Sequence, residues 1–391
     1  MKTVDIVYSG WVNAPNGAST FVRGMRDARE EFARQGIRLS VFSKDIFFPR
    51  TFDDKEGIAG HGRKKRFLAS LVRHSALGTW LLMWRLFLHH AKFIVDKYLE
   101  SDRPVPDIVY FHELFTCYYY LRRRKDRLSK VYLTLHNDGD LWRMTTLLFP
   151  KFGGCIFSAF RRKVERSVLS LVDAIGFVAD TPRRLFCQQY PFPPERTFFV
   201  YNGIPDIPMP NRKTSEGQIK LVCVGTLCKR KNQAGILKSL SMLPSETQRQ
   251  YHLTLVGDGE ERKTLEELVK GLETEVVFTG STSRVAECLR QADCFILFSL
   301  NEGLPISIIE AMRSGLPVIS TTVAGIPELV EEGVNGYLVP PDAEALCRLL
   351  QKIAEERPGL RQMGEESRRL FEQKFTREQM IFSYSKVLQD K

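Results

Sequence analysis

The sequence predicts an α/β protein with two domains, each built around a mostly parallel, doubly wound sheet. Short apolar runs rich in β-branched and aromatic residues alternate with helical stretches, which is typical of parallel sheets covered by helices. This alternation occurs in both halves of the 391-residue chain. Because a chain of this length is too long for one ordinary hydrophobic core, we expect two domains of roughly 200 residues each.

The strand-like runs divide equally between the two halves. Six of them, in the first half, cover residues 3–9, 37–44, 106–112, 130–137, 173–179 and 196–203. Six more, in the second half, cover residues 219–225, 251–257, 275–280, 294–299, 317–322 and 335–340. A Pro-rich polar linker follows residues 201–205, so we divide the chain into domains 1–204 and 205–375. A last helix is predicted over residues 376–391, with Thr376 as its N-cap.

The composition is typical of a globular protein and indicates in which compartment to expect it. Hydrophobic residues make up 43% of the chain and charged residues 26%, and no long polar tract interrupts it. No apolar run reaches the roughly 18 residues of a membrane span, and the N-terminus begins a strand, so we expect a cytoplasmic protein. The eight cysteines show no C-x-x-C pair and fall mostly in apolar runs. We therefore expect reduced thiols, with neither disulfides nor zinc.

The positive charge belongs to the first half of the chain. Residues 1–205 contain 33 Lys and Arg against 20 Asp and Glu, whereas residues 206–391 contain 24 against 26. These balances of +13 and −2 add to the net charge of +11. An anionic partner is therefore expected at the first domain, and nucleic acid explains it less well because the chain shows no recognised nucleic-acid motif.

Residues 298–328 carry the strongest sign of a binding site. The strand-like run ends in the turn Asn301-Glu302-Gly303-Leu304-Pro305, and a predicted helix then carries Glu310. A strand that leads through such a turn into a helix places its site at the carboxyl end of the sheet, where the free N–H groups of residues 303–307 favour an anion such as a diphosphate. Two glutamates at a helix start can also be ordinary solvated groups.

The wider pattern separates these alternatives. Residues 298–328 resemble the signature of the retaining GT-B glycosyltransferases of family 4, which use nucleotide-sugar donors. The pattern that carries the resemblance is F-S-x-x-E-G-x-P-x-x-x-x-E-A-M-x-x-G-x-P-V-I-x-T-x-x-x-G-x-P-E. The resemblance implies two Rossmann-like, doubly wound domains that face a central cleft, with the acceptor on the N-terminal domain and the donor on the C-terminal domain. It places Glu302 beside the sugar and its phosphate, Glu310 on the ribose, and the amides of residues 303–307 on the diphosphate.

Other motifs extend the resemblance to further residues. The family pattern G-R-L-x-x-x-K corresponds to residues 225–231, where Lys231 matches but Thr226 replaces the arginine, so that Lys229 or Arg230 must supply the missing charge. His136 stands where family members hold a histidine near the donor sugar. The catalytic residues implied are Glu302, Lys231 and His136. The donor-binding residues implied are Gly17, Thr226, Lys229, Arg230, Gly257, Phe278, Gly303, Leu304, Pro305, Ile306 and Glu310.

Three further features of the first domain bear on its function. His112 ends a strand and could line the acceptor side. Asp138-Gly139-Asp140 mimics a D-x-D metal motif, but we interpret it as an Asp/Gly turn and expect no metal. Residues 61–98 are basic and rich in Trp and Phe, which suits either a membrane interface or a core helix. Together with the basic clusters at 122–125 and 161–163, they favour a lipid-linked acceptor and contact with anionic membrane on its cytoplasmic face.

The resemblance thus implies a retaining hexosyltransferase that uses no cofactor beyond its nucleotide-diphospho-sugar co-substrate, for which we expect a UDP-sugar although no motif selects the base. Its acceptor would be a glycan or a lipid-diphosphate-linked sugar in the assembly of cell-envelope polysaccharide. Two alternatives stay open. Thr226 in place of arginine suits a non-catalytic, nucleotide-sugar-binding scaffold subunit, and a nucleotide-sugar epimerase would use the same fold without an acceptor.

Overall fold

The computed structural model describes residues 1–14, 17–49, 75–125, 127–207, 217–356 and 359–390. The chain divides into two compact units. The first contains the described residues up to Tyr201 together with those from Met380 onward, and the second runs from Asn202 to Gln379. Each unit holds one six-stranded sheet with helices around it, so the predicted two-domain α/β fold is confirmed.

The sheet of the first unit is parallel throughout and has the order β2-β1-β3-β4-β5-β6. Its strands are β1 (Lys2–Tyr8), β2 (Ile37–Ser43), β3 (Ile108–Phe111), β4 (Lys130–Leu135), β5 (Ala174–Phe177) and β6 (Thr197–Phe199). The four central strands are buried on both faces over most of their length, which is why apolar residues predominate in them without a strict alternation.

Helices cover both faces of this first sheet. They are α1 (Gly17–Asp27), α2 (Arg29–Arg34), α3 (Ala76–Met83), α4 (His89–Glu100), α5 (Leu114–Arg123), α6 (Arg143–Leu148), α7 (Ser158–Leu171) and α8 (Asp180–Gln189). A π-helical turn, Trp84–Leu88, joins α3 to α4. The two faces of the sheet carry separate buried clusters, one rich in phenylalanine and one built around Tyr110 and Tyr132.

The sheet of the second unit is also parallel, with the order β12-β11-β10-β7-β8-β9. Its strands are β7 (Ile219–Val224), β8 (Tyr251–Val256), β9 (Glu275–Gly280), β10 (Cys294–Leu297), β11 (Val318–Thr321) and β12 (Gly336–Val339). Its helices are α9 (Gln233–Ser241), α10 (Ser245–Gln248), α11 (Arg262–Val269), α12 (Val285–Gln291), α13 (Ile306–Arg313), α14 (Ala343–Glu356) and α15 (Leu360–Lys374).

The last helix, α16, runs over Arg377–Asp390. Thr376 Oγ1 accepts a hydrogen bond from the N–H of Gln379 at 3.3 Å, as expected of the predicted N-cap. The helix contributes Met380, Ile381, Tyr384 and Leu388 to the tyrosine-rich cluster of the first unit. The C-terminal residues of the chain therefore complete the core of its N-terminal unit.

The basic, Trp-rich segment at 61–98 is described only from residue 75 onward. One face of α3 and α4 packs into the phenylalanine-rich core through Met83, Leu88, Ile94 and Tyr98, which agrees with the core-helix interpretation for that face. The opposite face of α3 is exposed to solvent. No helix within the described ranges is long and apolar enough to cross a membrane.

Candidate functional site

The candidate site of the second unit lies where two adjacent strands end. β7 and β10 are parallel neighbours, so the loops that follow them leave the sheet at the same edge. The N–H of Leu300 donates to the carbonyl of Arg230 at 2.8 Å, and Arg230 Nη1 donates to the carbonyl of Asn301 at 2.9 Å. These bonds join loop 225–232 to loop 298–305, although about seventy residues separate them in the sequence.

Glu302 is the centre of this site. Its side chain is buried, and Lys231 Nζ lies 2.7 Å from Oε1 while Arg230 Nη1 lies 2.9 Å from it. Ser299 Oγ donates to the same oxygen at 2.8 Å. All three contacts reach Oε1. A carboxylate has a second acceptor oxygen, Oε2, with which a ligand can also form a hydrogen bond.

Glu302 is held in its charged form. Burial alone would raise the pKa of its carboxyl, but Lys231, Arg230 and Ser299 together lower the pKa below its ordinary value. Charge-assisted contacts in a site that excludes water are stronger than the same contacts at a surface, which is why the cations outweigh desolvation here. The result is a fixed carboxylate held by two cations.

The structure distinguishes between the two cations that could replace the family arginine. Arg230 contacts Glu302, whereas Lys229 is exposed and makes no ion pair among the described residues. Thr226 is also exposed, and its carbonyl accepts from Gln233 Nε2 at 3.1 Å. This arrangement favours Arg230 over Lys229 as the source of the missing charge.

The turn before α13 presents polar groups at the helix start. Residues 303–305 are buried, and α13 begins at Ile306 directly after Pro305. The carbonyl of Gly303 accepts from the N–H of Gly325 at 3.0 Å, which secures the turn. Ser307 Oγ is a buried atom without a hydrogen-bond partner among the described residues. Since the first N–H groups of a helix also lack internal acceptors, this end of α13 can bind an anion.

Glu310 lies on α13, one turn beyond that anion-binding end. Its carboxylate makes no hydrogen bond or ion pair among the described residues, and burial raises the pKa of the group despite the nearby charge of Arg313. A half-buried carboxyl group without a partner is costly unless a ligand supplies donors. Two adjacent hydroxyls, such as those of a ribose, would satisfy it.

Gly257 follows strand β8, and Phe278 lies in the neighbouring strand β9. Gly257 has a φ of +136°, and a Cβ at this position would lie 2.2 Å from the carbonyl oxygen of Gly225. Only glycine therefore lets the two loops approach each other here. Phe278 lies under the guanidinium of Arg262, whose Cζ is 5.5 Å from the ring centroid. Their donor-binding roles stay predictions.

The first unit holds a separate centre at the carboxyl ends of β3 and β4. His112 Nδ1 lies 3.1 Å from His136 Nε2, and Phe21 packs against both rings with centroid distances of 5.0 and 4.9 Å. Burial lowers the pKa of His136 to about 4 and lowers that of His112 further below its usual range, with His136 adding to the effect. Both imidazoles are therefore neutral, and His112 Nε2 is a buried atom without a partner among the described residues.

Two other predicted features of the first unit have structural explanations. Gly17 begins α1, and a Cβ there would meet nothing within 4 Å, so packing does not require glycine at this position. Asp138 pairs with Arg143 at 2.9 Å, and Asp140 accepts from the N–H of Trp142 at 2.7 Å. These aspartates thus serve the turn before α6. Among the described residues, no three His, Cys, Asp or Glu side chains are placed to hold a metal ion.

Three polar residues outside the set of predicted site residues support these centres. Ser299 holds Glu302, and the F-S-x-x-E pattern already contained it. Asn202 is buried and donates from Nδ2 to the carbonyl of Leu304 at 2.9 Å. Glu113 is buried and accepts from the N–H of Ser9 at 2.7 Å. No local pattern marks the last two, because their partners lie about a hundred residues away.

Family comparisons agree with this geometry. The family model described as "Glycosyl transferases group 1" matches residues 208–370, and "Glycosyltransferase Family 4" matches residues 16–206. The chain belongs to the family-4-like GT-B glycosyltransferases. The resemblance read from the motif at 298–328 is therefore confirmed, and the two family models divide the chain between its two halves.

Individual relatives of this glycosyltransferase chain are distant. The N-acetyl-alpha-D-glucosaminyl L-malate synthase of Bacillus anthracis is 31% identical over 179 residues, which is 45% of this chain and 46% of that protein. The Escherichia coli O-antigen biosynthesis glycosyltransferase WbnH is 26% identical over 66% of this chain and 78% of its own length. The chain thus spans about half the length of the first of these relatives.

Solved structures show the same fold. Anabaena Alr3699/HepE in complex with UDP superposes with a TM-score of 0.68 and 17% identity, covering 100% of both chains. At this identity the likeness establishes the GT-B fold and no more.

Proposed function

We propose that this protein is a retaining hexosyltransferase that moves a sugar from a nucleotide-diphospho-sugar to a glycan or lipid-diphosphate-linked acceptor in cell-envelope polysaccharide assembly. The observation that carries the proposal is Glu302, a buried carboxylate held by Lys231, Arg230 and Ser299. A fixed charge of this kind suits a reaction in which charge develops on both the sugar and its leaving group.

Each residue of the site would bind a different part of the donor. Glu310 would accept hydrogen bonds from the ribose hydroxyls, and the amides at the start of α13 would hold the diphosphate. Lys231 and Arg230 would stabilise the negative charge that develops on the leaving diphosphate, which metal-independent phosphate binding requires. Glu302 Oε2 would face the sugar, where a carboxylate stabilises an oxocarbenium-like transition state.

Uridine diphosphate is the nucleotide we propose for the donor. A structural neighbour, Anabaena Alr3699/HepE, binds UDP, and a distant relative, Escherichia coli WbnH, acts in O-antigen biosynthesis. Both observations support the proposal by analogy, and the positive charge of the first half of the chain supports an anionic acceptor. We place the protein in the cytoplasm, in peripheral contact with anionic membrane.

The alternatives explain the site less well. The scaffold interpretation depended on Thr226 replacing an arginine, but Arg230 brings a guanidinium to Glu302 from four residues away. An epimerase needs no acceptor, and it leaves the basic first half without a role.

A panel of donors tests the proposal. The purified chain is incubated with uridine-, guanosine- and adenosine-diphospho-sugars, with and without a lipid-diphosphate acceptor and anionic vesicles. We expect acceptor-dependent transfer from a uridine-diphospho-sugar, and analysis of the product anomer decides retention. UDP binding without turnover on any acceptor would favour the scaffold, whereas conversion of the free donor to an epimer would favour the epimerase.

A further inference from the structure

Helix α3 of the first unit carries its apolar side chains outward. Leu77, Trp80 and Leu81 of α3 and Trp84 at the start of the π-helical turn are 70%, 38%, 54% and 50% exposed, and they follow the i, i+3, i+4, i+7 spacing of one helix face. The buried residues of α3, Gly78, Thr79 and Met83, lie between them. A helix packed against a core normally turns polar residues to water, so this stripe is the reverse of a solvated surface.

A second segment continues the same apolar surface. Trp80 stacks on Phe157 with a centroid distance of 6.4 Å and meets Phe160 edge-on at 5.5 Å. Residues 147–156 therefore lie beside α3. They add Leu147, which is 53% exposed, and Ile156, which is 73% exposed. Exposed large apolar side chains gathered from two separate segments form a patch rather than scattered single residues.

The two segments that form this patch carry a net positive charge, although Asp138, Asp140 and Glu165 flank them and Arg143 pairs with Asp138. Residues 75–95 and 141–164 contain no Asp or Glu but contain seven Lys and Arg, and the last of these form the cluster Arg161, Arg162 and Lys163. Arg162 and Lys163 are exposed. Arg161 donates to the carbonyl of Gly153 at 2.9 Å, which joins the basic cluster to the loop that presents Ile156.

We propose that this face, formed by α3 and residues 147–163, docks onto the surface of an anionic lipid bilayer. Trp and Leu side chains enter the headgroup boundary, while Arg and Lys at the rim pair with lipid phosphates. A second copy of the chain fits poorly, because a symmetric dimer through this face would bring two cationic rims together. The outer face of α3 is then the element that makes the membrane contact.

This inference deepens the membrane part of the proposed function but does not depend on the transfer reaction. None of its residues belongs to the Glu302 site of the second unit. UDP binding without lipid therefore reports on the donor site alone, and vesicle binding without donor reports on the docking face alone.

Vesicle co-sedimentation of the full chain tests the proposal. We compare phosphatidylcholine vesicles with vesicles of equal parts phosphatidylcholine and phosphatidylglycerol. We expect binding to the anionic vesicles, weak binding to the neutral ones, a blue shift of Trp fluorescence on binding, and loss of most binding at about 1 M salt, where charges are screened within a few ångströms. Equal binding to both vesicles, or binding to neither, would overturn the proposal.

Two double substitutions at exposed residues, with one control substitution, test whether this face binds the vesicles. Leu77→Gln with Leu81→Gln should weaken binding to anionic vesicles by at least about tenfold, since the apolar area no longer leaves water. Arg162→Gln with Lys163→Gln should weaken it by on the order of tenfold and leave neutral vesicles unaffected. Leu268→Gln, at an exposed leucine of α11, should bind like the parent.

Folding and self-association are checked on the same proteins. All variants should keep the parent's circular dichroism and UDP affinity, because their side chains face solvent in the first unit or on α11. Parent-like vesicle binding by the Leu77→Gln, Leu81→Gln protein would refute the proposal. So would a lipid-free dimer, seen by sedimentation velocity, that this same variant dissociates.

Discussion

The two units hold opposite kinds of buried titratable centre at the same place in their folds. In the second unit, Glu302 stands just beyond β10 with two cations and a hydroxyl on one oxygen. In the first unit, His136 and His112 stand just beyond β4 and β3, where they contact each other and the ring of Phe21, and His112 also packs against Tyr110. The pKa of Glu302 is lowered, so it stays charged, and the pKa of each histidine is lowered, so both stay neutral.

The difference shows what decides the charge of a buried group. Burial opposes the charged form in both centres, but only the second unit supplies opposite charges to compensate. A charged centre suits the stabilisation of a transition state, whereas a neutral pair suits hydrogen bonding to sugar hydroxyls without attracting ions. The following substitutions test this contrast, beginning with the largest expected effect.

Removing the charge at the centre of the second unit should have the largest effect. Glu302→Gln keeps the size of the side chain but leaves Lys231 and Arg230 without their carboxylate. We expect turnover to fall by about a thousandfold, as for the loss of a preorganised electrostatic group. The measurement is turnover at saturating donor, with Glu267→Gln, which is exposed, as the matched control. Activity within about threefold of the parent would contradict the central role of this carboxylate.

Acidification should affect the first unit before the second. The pKa of His136 is lowered from 6.5 to about 4, so its stabilisation is fully present above pH 6.5 and is lost as the pH falls from 6.5 towards 4. This loss amounts to up to about 3 kcal/mol of unfolding free energy. The pKa of Glu302 is lowered from 4.5, so its stabilisation is lost only as the pH falls below that value.

Hydrogen exchange can separate these two windows. Peptides from β4 should lose protection between pH 6.5 and 4, after correction for intrinsic exchange, while peptides from β10 keep theirs. His136→Gln should flatten the dependence in β4, and His89→Gln, at an exposed position, should leave it unchanged. Equal loss in both units would show that His136 does not determine the difference.

The two neighbouring cations of loop 225–232 should behave differently. Arg230→Gln removes a charge-assisted contact to Glu302, and we expect kcat/KM to fall by about thirtyfold. Lys229→Gln is the matched control and should change it by less than about twofold, because Lys229 is exposed. Adding Thr226→Arg to the Arg230 variant should restore part of the loss. Equal effects of both substitutions would remove the special role of Arg230.

Glu310 should control recognition of the ribose. In Glu310→Gln the affinity for UDP should fall by about tenfold, because one oxygen acceptor becomes a donor. Calorimetry with UDP and with its 2′,3′-dideoxy form gives the decisive comparison. The parent should discriminate between the two nucleotides, and the variant should not. Unchanged discrimination would place the ribose elsewhere.

Ser299 should have the smallest effect. Ser299→Ala removes one of three contacts to Glu302 Oε1 and leaves both cations in place, so the pKa of the carboxyl rises slightly. We expect turnover to fall by about fivefold, in line with the net value of a single hydrogen bond. Ser241→Ala, outside the site, serves as the control. A loss as large as that of Glu302→Gln would mean that the hydroxyl, and not the cations, orients the carboxylate.

The sequence by itself determined the architecture and the position of the main acid. The alternation of buried strands with helices can be predicted from local sequence, because the residues of one strand or one helix follow a regular pattern of burial. The turn after β10 and the start of α13 are also local features, so the helix N-terminus could be placed from the sequence pattern, while the roles of Glu302 and Glu310 came from the family resemblance. Lys231 followed from its motif in the same way.

Only the tertiary structure decided which groups meet. The contact between Arg230 and Glu302 requires that β7 lie beside β10, so that the two loops meet. Neither loop's own sequence indicates that strand order. The contact between His112 and His136 depends in the same way on the pairing of β3 with β4. The outward stripe of α3 gave no periodic signal, because both of its faces are apolar. Contacts between distant segments depend on the packing of whole elements, and that packing is a property of the folded chain.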